Sequence, residues 1–216
     1  LHSKTAWDDY FPETSPANSF YSKTFNSRQT PSDSSLYVSN CLFKSISSTS
    51  DGGALYSYSS MTLLLVESTS FFSCKTSGSY GGAIFFYHSS GQSVLHEVCG
   101  FDCSANAHYH FLWSQVNNAA SKKNYINYSS ISRCDNSGRW HTFCLYNGKI
   151  CFPSVNVSLN KCYGQSLFYY PFVDSNSVTC SLSYSSFADN TATVYTCFYL
   201  CSDGAKYEIK SCNILR

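Results

Sequence analysis

Ser70-Phe71-Phe72-Ser73-Cys74, followed by Gly81-Gly82-Ala83-Ile84, contains the unit from which the rest of the chain is built. A short apolar strand leads, three residues on, to a small side chain. A polar turn follows, and then a second apolar strand opened by two glycines. The preceding copy runs Cys41-Leu42-Phe43-Lys44-Ser45 and then Gly52-Gly53-Ala54-Leu55. Later copies centre on Cys103, Cys134, Cys162 and Asn190, and a shortened one ends at Cys212. From Cys74 to Asn190 these anchors lie 29, 31, 28 and 28 residues apart (74 to 103, 103 to 134, 134 to 162, 162 to 190). Three residues before the anchors stand Leu42, Phe71, Gly100, Ile131, Leu159, Phe187 and Ile209, an apolar column broken only by the glycine. The column one residue earlier is mostly small and polar, as the opposite face of a strand should be.

Such a repeat cannot bury its apolar face alone, and stacking on its neighbours creates a continuous core. Two short strands per repeat, with turns rich in Ser and Gly, predict an all-β, single-stranded right-handed parallel β-helix of about seven coils. Neighbouring coils would sit ~4.8 Å apart. The repeats occupy residues 35–216. Residues 1–34 hold no clear copy, and their Trp7, Tyr10, Phe11, Phe20, Tyr21 and Phe25 read as an N-terminal cap over the open end.

Composition agrees with a β fold. Aromatics make up 17% and charged residues only 12%, with Tyr 18 and Phe 16, and helix formers are sparse. A net charge of +1 without a basic stripe argues against nucleic acid as a partner. No apolar run approaches the ~18 residues of a membrane span, so no direct span is expected in this chain. Twelve Cys, with the sequons Asn127-Tyr128-Ser129 and Asn156-Val157-Ser158, lean towards an extracellular or cell-surface protein glycosylated at Asn127 and Asn156.

Gly52-Gly53-Ala54-Leu55, Gly81-Gly82-Ala83-Ile84 and Phe187-Ala188-Asp189-Asn190 resemble the GGA-I/L/V and FxxN motifs of chlamydial polymorphic outer membrane proteins. Similar repeats are abundant in trichomonad surface proteins, where Cys often stands at the Asn position. The resemblance covers residues 35–216 and implies a right-handed β-helix with a surface or adhesion role. It brings no catalytic residues. Later coils depart from it, replacing GGA-I with His110-Phe111, His141-Thr142-Phe143 and Thr193-Val194.

Few groups suggest chemistry. Cys74, Cys103, Cys134 and Cys162, with Asn190, form a structural ladder, read as buried thiols acting as small hydrophobes rather than a chain of disulfides. Cys144 with Cys151 and Cys197 with Cys201 are better disulfide candidates. His108, His110 and His141 fall close together, but without a carboxylate or CxxC spacing they assign no metal, and no cofactor is implied. Asp8, Asp9, Asp51, Asp102, Asp135 and Asp189 offer no carboxylate pair at hydrolytic spacing.

The second strand is apolar on both faces in successive coils. Its outward residues, placed at Phe86, Trp113, Tyr146, Tyr170 and Tyr199, are expected to contact a partner: another copy, a protein or a glycan. The expected function is therefore a non-catalytic structural or adhesive module at the cell surface or in an extracellular filament. The alternatives are a polysaccharide-binding or -cleaving β-helix and an intracellular cytoskeletal protein.

Overall fold

A computed structural model of the chain describes residues 6–134, 140–163, 167–170, 179–193, 198–200 and 206–215. It is an all-β parallel solenoid with three walls. The first wall stacks Asn18–Tyr21, Ser35–Ser39, Leu63–Glu67, Gln92–His96, Lys123–Asn127, Lys149–Pro153, Thr179–Ser183 and Lys206–Lys210. The second stacks Thr24–Phe25, Leu42–Lys44, Ser70–Phe72, Cys99–Phe101, Ser130–Ser132, Asn156–Ser158, Ser186–Ala188 and Asn213–Leu215. The third holds six strands: Leu55–Tyr58, Ile84–Tyr87, Leu112–Gln115, Phe143–Tyr146, Leu167–Tyr170 and Phe198–Leu200. The expected count of about seven coils is thus slightly off, because the terminal rungs add strands to only two walls. The first rung reaches the third wall only as a bridge from Gln29 to Leu55.

Two tight corners shape every coil. First and second walls are always joined by two residues, such as Asn40-Cys41, Ser68-Thr69 and Glu97-Val98. The leading residue takes a left-handed backbone at Asn40, Ser68, Glu97, Tyr128, Ser154, Tyr184 and Ser211, with φ between 44° and 55°. The residue after it faces inward. The second corner repeats the device at Ser45, Ser73, Asp102, Arg133, Leu159 and Asp189, with φ between 50° and 56°. This conformation costs a non-glycine residue about 1 kcal/mol or more. It persists because the corner N–H groups still bond the coil above: Ser45 N donates to Phe72 O at 2.9 Å and Ser73 N to Phe101 O at 2.9 Å. The turn from third to first wall is looser, ranging among the described residues from two residues (147–148) to seven (116–122).

The register redraws the inward column. It runs Phe25, Phe43, Phe71, Gly100, Ile131, Val157, Phe187 and Ile214. Phe43 and Phe71 stack at 4.8 Å with planes 8° apart. Leu42, Leu159 and Ile209 do not belong to it. Phe43 replaces Leu42, whose side chain faces the other way along the pleat. Leu159 is a left-handed corner residue and is 47% exposed. Ile209 lies on the first wall, opposite Leu182 in register.

The N-terminal residues act in two places. Phe20 and Phe25 belong to the first rung and pack against the main core. The helix α1 (Ala6–Tyr10) instead lies on the outer face of the first wall, where Trp7 and Phe11 join Tyr37, Leu65 and Val94 in a separate apolar cluster. Its Tyr10 hydroxyl meets His96 Nδ1 at 2.9 Å and accepts from Asn127 Nδ2 at 2.8 Å.

Candidate functional site

Alternation along the third wall sends every second residue outwards. Two outward columns result. Tyr56, Phe85, Trp113 and Cys144 form one; Tyr58, Tyr87, Gln115 and Tyr146 form the other. Tyr56 and Phe85 stack at 5.1 Å, Phe85 and Trp113 at 6.5 Å, Tyr58 and Tyr87 at 5.1 Å, and Trp113 and Tyr146 at 6.2 Å. A third row comes from the turn preceding the wall. There Tyr80 stacks on His108 at 5.5 Å, His108 on Trp140 at 6.2 Å, and Trp140 meets the edge of Tyr163 at 5.3 Å. Tyr109 joins the rows, 4.7 Å from Trp113 and 5.4 Å from His141. Burial pushes its phenol well above an ordinary tyrosine, with the Cys144 thiol alongside adding to the shift. Arg28 lies over Tyr56 at 4.5 Å, its guanidinium donating to the Asp51 and Gly52 carbonyls.

Within the rows most neighbouring rings are stacked, so each covers its neighbour's face. What reaches solvent is chiefly ring edges and hydroxyls. Such a surface suits edge-to-face and hydrogen-bonded protein contacts better than sugar rings, which settle on open aromatic faces.

The sequence-predicted contact residues divide. Trp113 and Tyr146 lie on this surface. Phe86 does not: it is fully buried and points into the core, where Ser57 and Ser114 above and below it leave room for its ring. Its outward neighbours are Phe85 and Tyr87. The side chains of Tyr170 and Tyr199 lie outside the described residues. The rows through Tyr80, His108, Trp140 and Tyr163 were missed, because their residues sit in turns without strand periodicity.

The anchor ladder also shifts. Its members are Ile46, Cys74, Cys103, Cys134, Asn160 and Asn190, each the inward residue of a second corner. Cys162 leaves the ladder for a strand two positions further on, opposite Ala192. Asn160 takes its place because the coil from Ile131 to Val157, 26 residues, is shorter than the coils on either side, 31 and 30 residues. The amides bind the preceding coil at both ends: Asn160 Nδ2 donates to Ile131 O at 3.1 Å while its Oδ1 accepts from Cys134 N at 2.8 Å. Asn190 Nδ2 likewise donates to Val157 O at 2.7 Å. The thiols imitate this, with Cys74 Sγ donating to Phe43 O and Cys103 Sγ to Phe71 O, both at 3.6 Å. Contact with the Cys103 sulfur and burial raise the Cys74 thiol, and burial raises Cys134. Cys103 and Cys134 are both fully buried, so they should resist alkylation in the folded protein and react only in denaturant. Mass mapping after a short iodoacetamide pulse checks this, and modification at either position without denaturant would contradict it.

Other candidates are scattered. Cys144 and Cys151 are free and face out of different walls, and Cys197 and Cys201 lie outside the described residues. His108 is on the outer row whereas His110 is fully buried, the left-handed Tyr109 (φ 57°) separating them. Among the described residues no three His, Cys, Asp or Glu side chains are grouped to hold a metal, and no helix is long and apolar enough to cross a membrane. Asp51 Oδ1 accepts from Tyr80 N at 2.9 Å, and Asp102 pairs with Lys75 at 3.3 Å. Asp102 and Asp189 are both left-handed corner residues, Asp8 and Asp9 sit on α1, and Asp135 lies outside the described residues. Of the two sequons, Asn156 is exposed, whereas Asn127 is buried with its amide engaged by Tyr10.

Residues 40–58, which include Gly52-Gly53-Ala54-Leu55, match the family model described as the Chlamydia polymorphic membrane protein repeat. No curated protein and no solved structure shows a significant match to the chain. The matched segment runs from the first corner of one coil to the end of its third-wall strand, and the same corners recur in the coils above it. The repeat match and the parallel solenoid together support a Pmp-like β-helix repeat family for this chain.

Proposed function

We propose that the chain is a non-catalytic adhesive or structural β-helix module of a cell surface, and that it engages a protein partner through the outer aromatic face of the third wall. The repeat and the fold fit a surface β-helix protein. The observation that carries the partner reading is the three-row array of stacked rings. Tyr58, Trp140 and Tyr163 in it are 50%, 40% and 37% exposed, and the Arg28 guanidinium lies over Tyr56 at one end. Large apolar patches rimmed by polar residues mark contact sites, and Tyr and Trp are enriched in interfaces.

Replacing Trp113 and Tyr146 together by Lys tests the reading. Both are outward and part-exposed, so the β-sheet circular dichroism should be retained. Self-association measured by sedimentation, or adhesion of protein-coated beads to cells, should fall at least tenfold. Wild-type assembly and adhesion in the folded double variant would refute it.

A further inference from the structure

A second surface forms where the loose turns lead into the first wall. Lys123 opens one strand and lies directly opposite Lys149 in the next coil. The same register, with Cys151 opposite Ser181, carries the column through position 179, and Lys206 is opposite that position in the following coil. Lys122 stands beside Lys123. Sequence alone hides this arrangement, because Lys149 and Lys206 are isolated cations in the chain. The column spans three coil steps, about 14 Å along the solenoid axis.

The turns that present these lysines are held together. Lys149 N donates to Lys122 O at 2.7 Å. Gly148, at φ 73°, sits so close that a Cβ there would lie 2.7 Å from the same oxygen. No carboxylate of the described residues lies within ion-pair distance of Lys122, Lys123, Lys149 or Lys206, although Lys75 and Lys210 each have one. The Lys123 ammonium lies 5.7 Å from the centre of the Phe11 ring; burial lowers its pKa, and the charges of Lys122 and Lys149 lower it further, as expected of crowded cations with no carboxylate beside them.

We propose that this lysine column binds a linear anionic polysaccharide, sulfated or carboxylated, lying along the solenoid axis. A row of cations at coil spacing complements a polymer with charges along its length. A bilayer is a poorer fit, since the outward neighbours Tyr125 and Cys151 offer no exposed large apolar side chain to insert. A single-stranded nucleic acid needs open ring faces for its bases, and the ring on this strip, Tyr125, is packed against the Trp7 and Phe11 cluster. The site is on a different wall from the aromatic rows and does not depend on them.

Calorimetric titration with a heparin-type sulfated octasaccharide tests it. Wild type should bind with an affinity that falls steeply with salt. Lys123→Gln with Lys149→Gln should weaken binding at least tenfold and reduce the slope of log affinity against log salt by about two. Lys123→Arg with Lys149→Arg should restore binding, which separates lost charge from lost fold. Lys44→Gln with Lys161→Gln, away from the column, should leave binding intact, as should the Trp113 and Tyr146 double variant. The proposal is overturned if wild type does not bind, if the two Gln pairs behave alike, if the Arg pair fails to restore binding, or if single-stranded DNA or phosphatidylserine vesicles bind more tightly than the octasaccharide.

Discussion

Gly82→Ala should cost more than about 4 kcal/mol, enough to unfold the coils around it. The added Cβ would overlap the carbonyl oxygen of His110 and come 2.6 Å from that of Ser104. Both are backbone atoms of the next coil, held by parallel ladder bonds, so neither can swing aside as a side chain would. Gly53 meets the same constraint one coil below, against the Gly82 carbonyl and Lys75 O. The paired glycines therefore divide their work. Gly52 and Gly81 supply the left-handed turn, with φ of 68° and 65°, while Gly53 and Gly82 let the next coil approach. Urea unfolding followed by circular dichroism measures the cost. A loss below about 1 kcal/mol, the ordinary effect of a point substitution, would mean that the coils separate easily and that the motif has another purpose.

Phe71→Ala should cost about 3–5 kcal/mol, as for other buried aromatic truncations. Its ring is fully buried, stacked on Phe43, and meets the edge of Phe111 at 6.0 Å. The next residue in the column is Gly100, and the space beside it holds the Phe111 ring, whose nearest atom is 2.4 Å from where a Cβ would lie. The cavity left by Phe71 therefore has no large neighbour in the column above to fill it. Phe72→Ala serves as the comparison: it points outwards, is 47% exposed and stacks on Phe101 at 5.2 Å. It should lose about 1 kcal/mol. Equal losses at the two positions would contradict the assigned pleat.

The solenoid and its repeat could be read from the sequence because two features recur in every coil, an apolar strand and a small inward corner residue. Register could not be read to the residue. Leu42 and Phe43 are both apolar, and a three-residue strand gives too little alternation to choose between them. Val157 and Leu159 have the same parity, so the period cannot separate them, and Leu159 in a left-handed corner leaves no compositional trace. Cys162 resembled an anchor because Cys occupies the preceding three, while the true anchor, Asn160, lacks the Phe that marks the motif at Phe187. On the third wall the run Ile84-Phe85-Phe86-Tyr87 is apolar throughout, which placed Phe86 outside when its register with Ser57 and Ser114 puts it inside. The lysine column was illegible for another reason: only pairing across coils brings its members together.

The contrast between corners sets where this protein tolerates changes of length. The two-residue corners must each deliver one left-handed residue, one inward side chain and an unbroken ladder. An added residue there would rotate the following strand by half a pleat and turn its buried face to water. Among the described residues the turns entering the first wall already range from two residues to seven while the strands on either side keep their pairing. Loop closure grows only slowly with length. That edge is therefore where the lineage can acquire insertions, and where an engineered epitope or enzyme tag can be grafted without disturbing the stack.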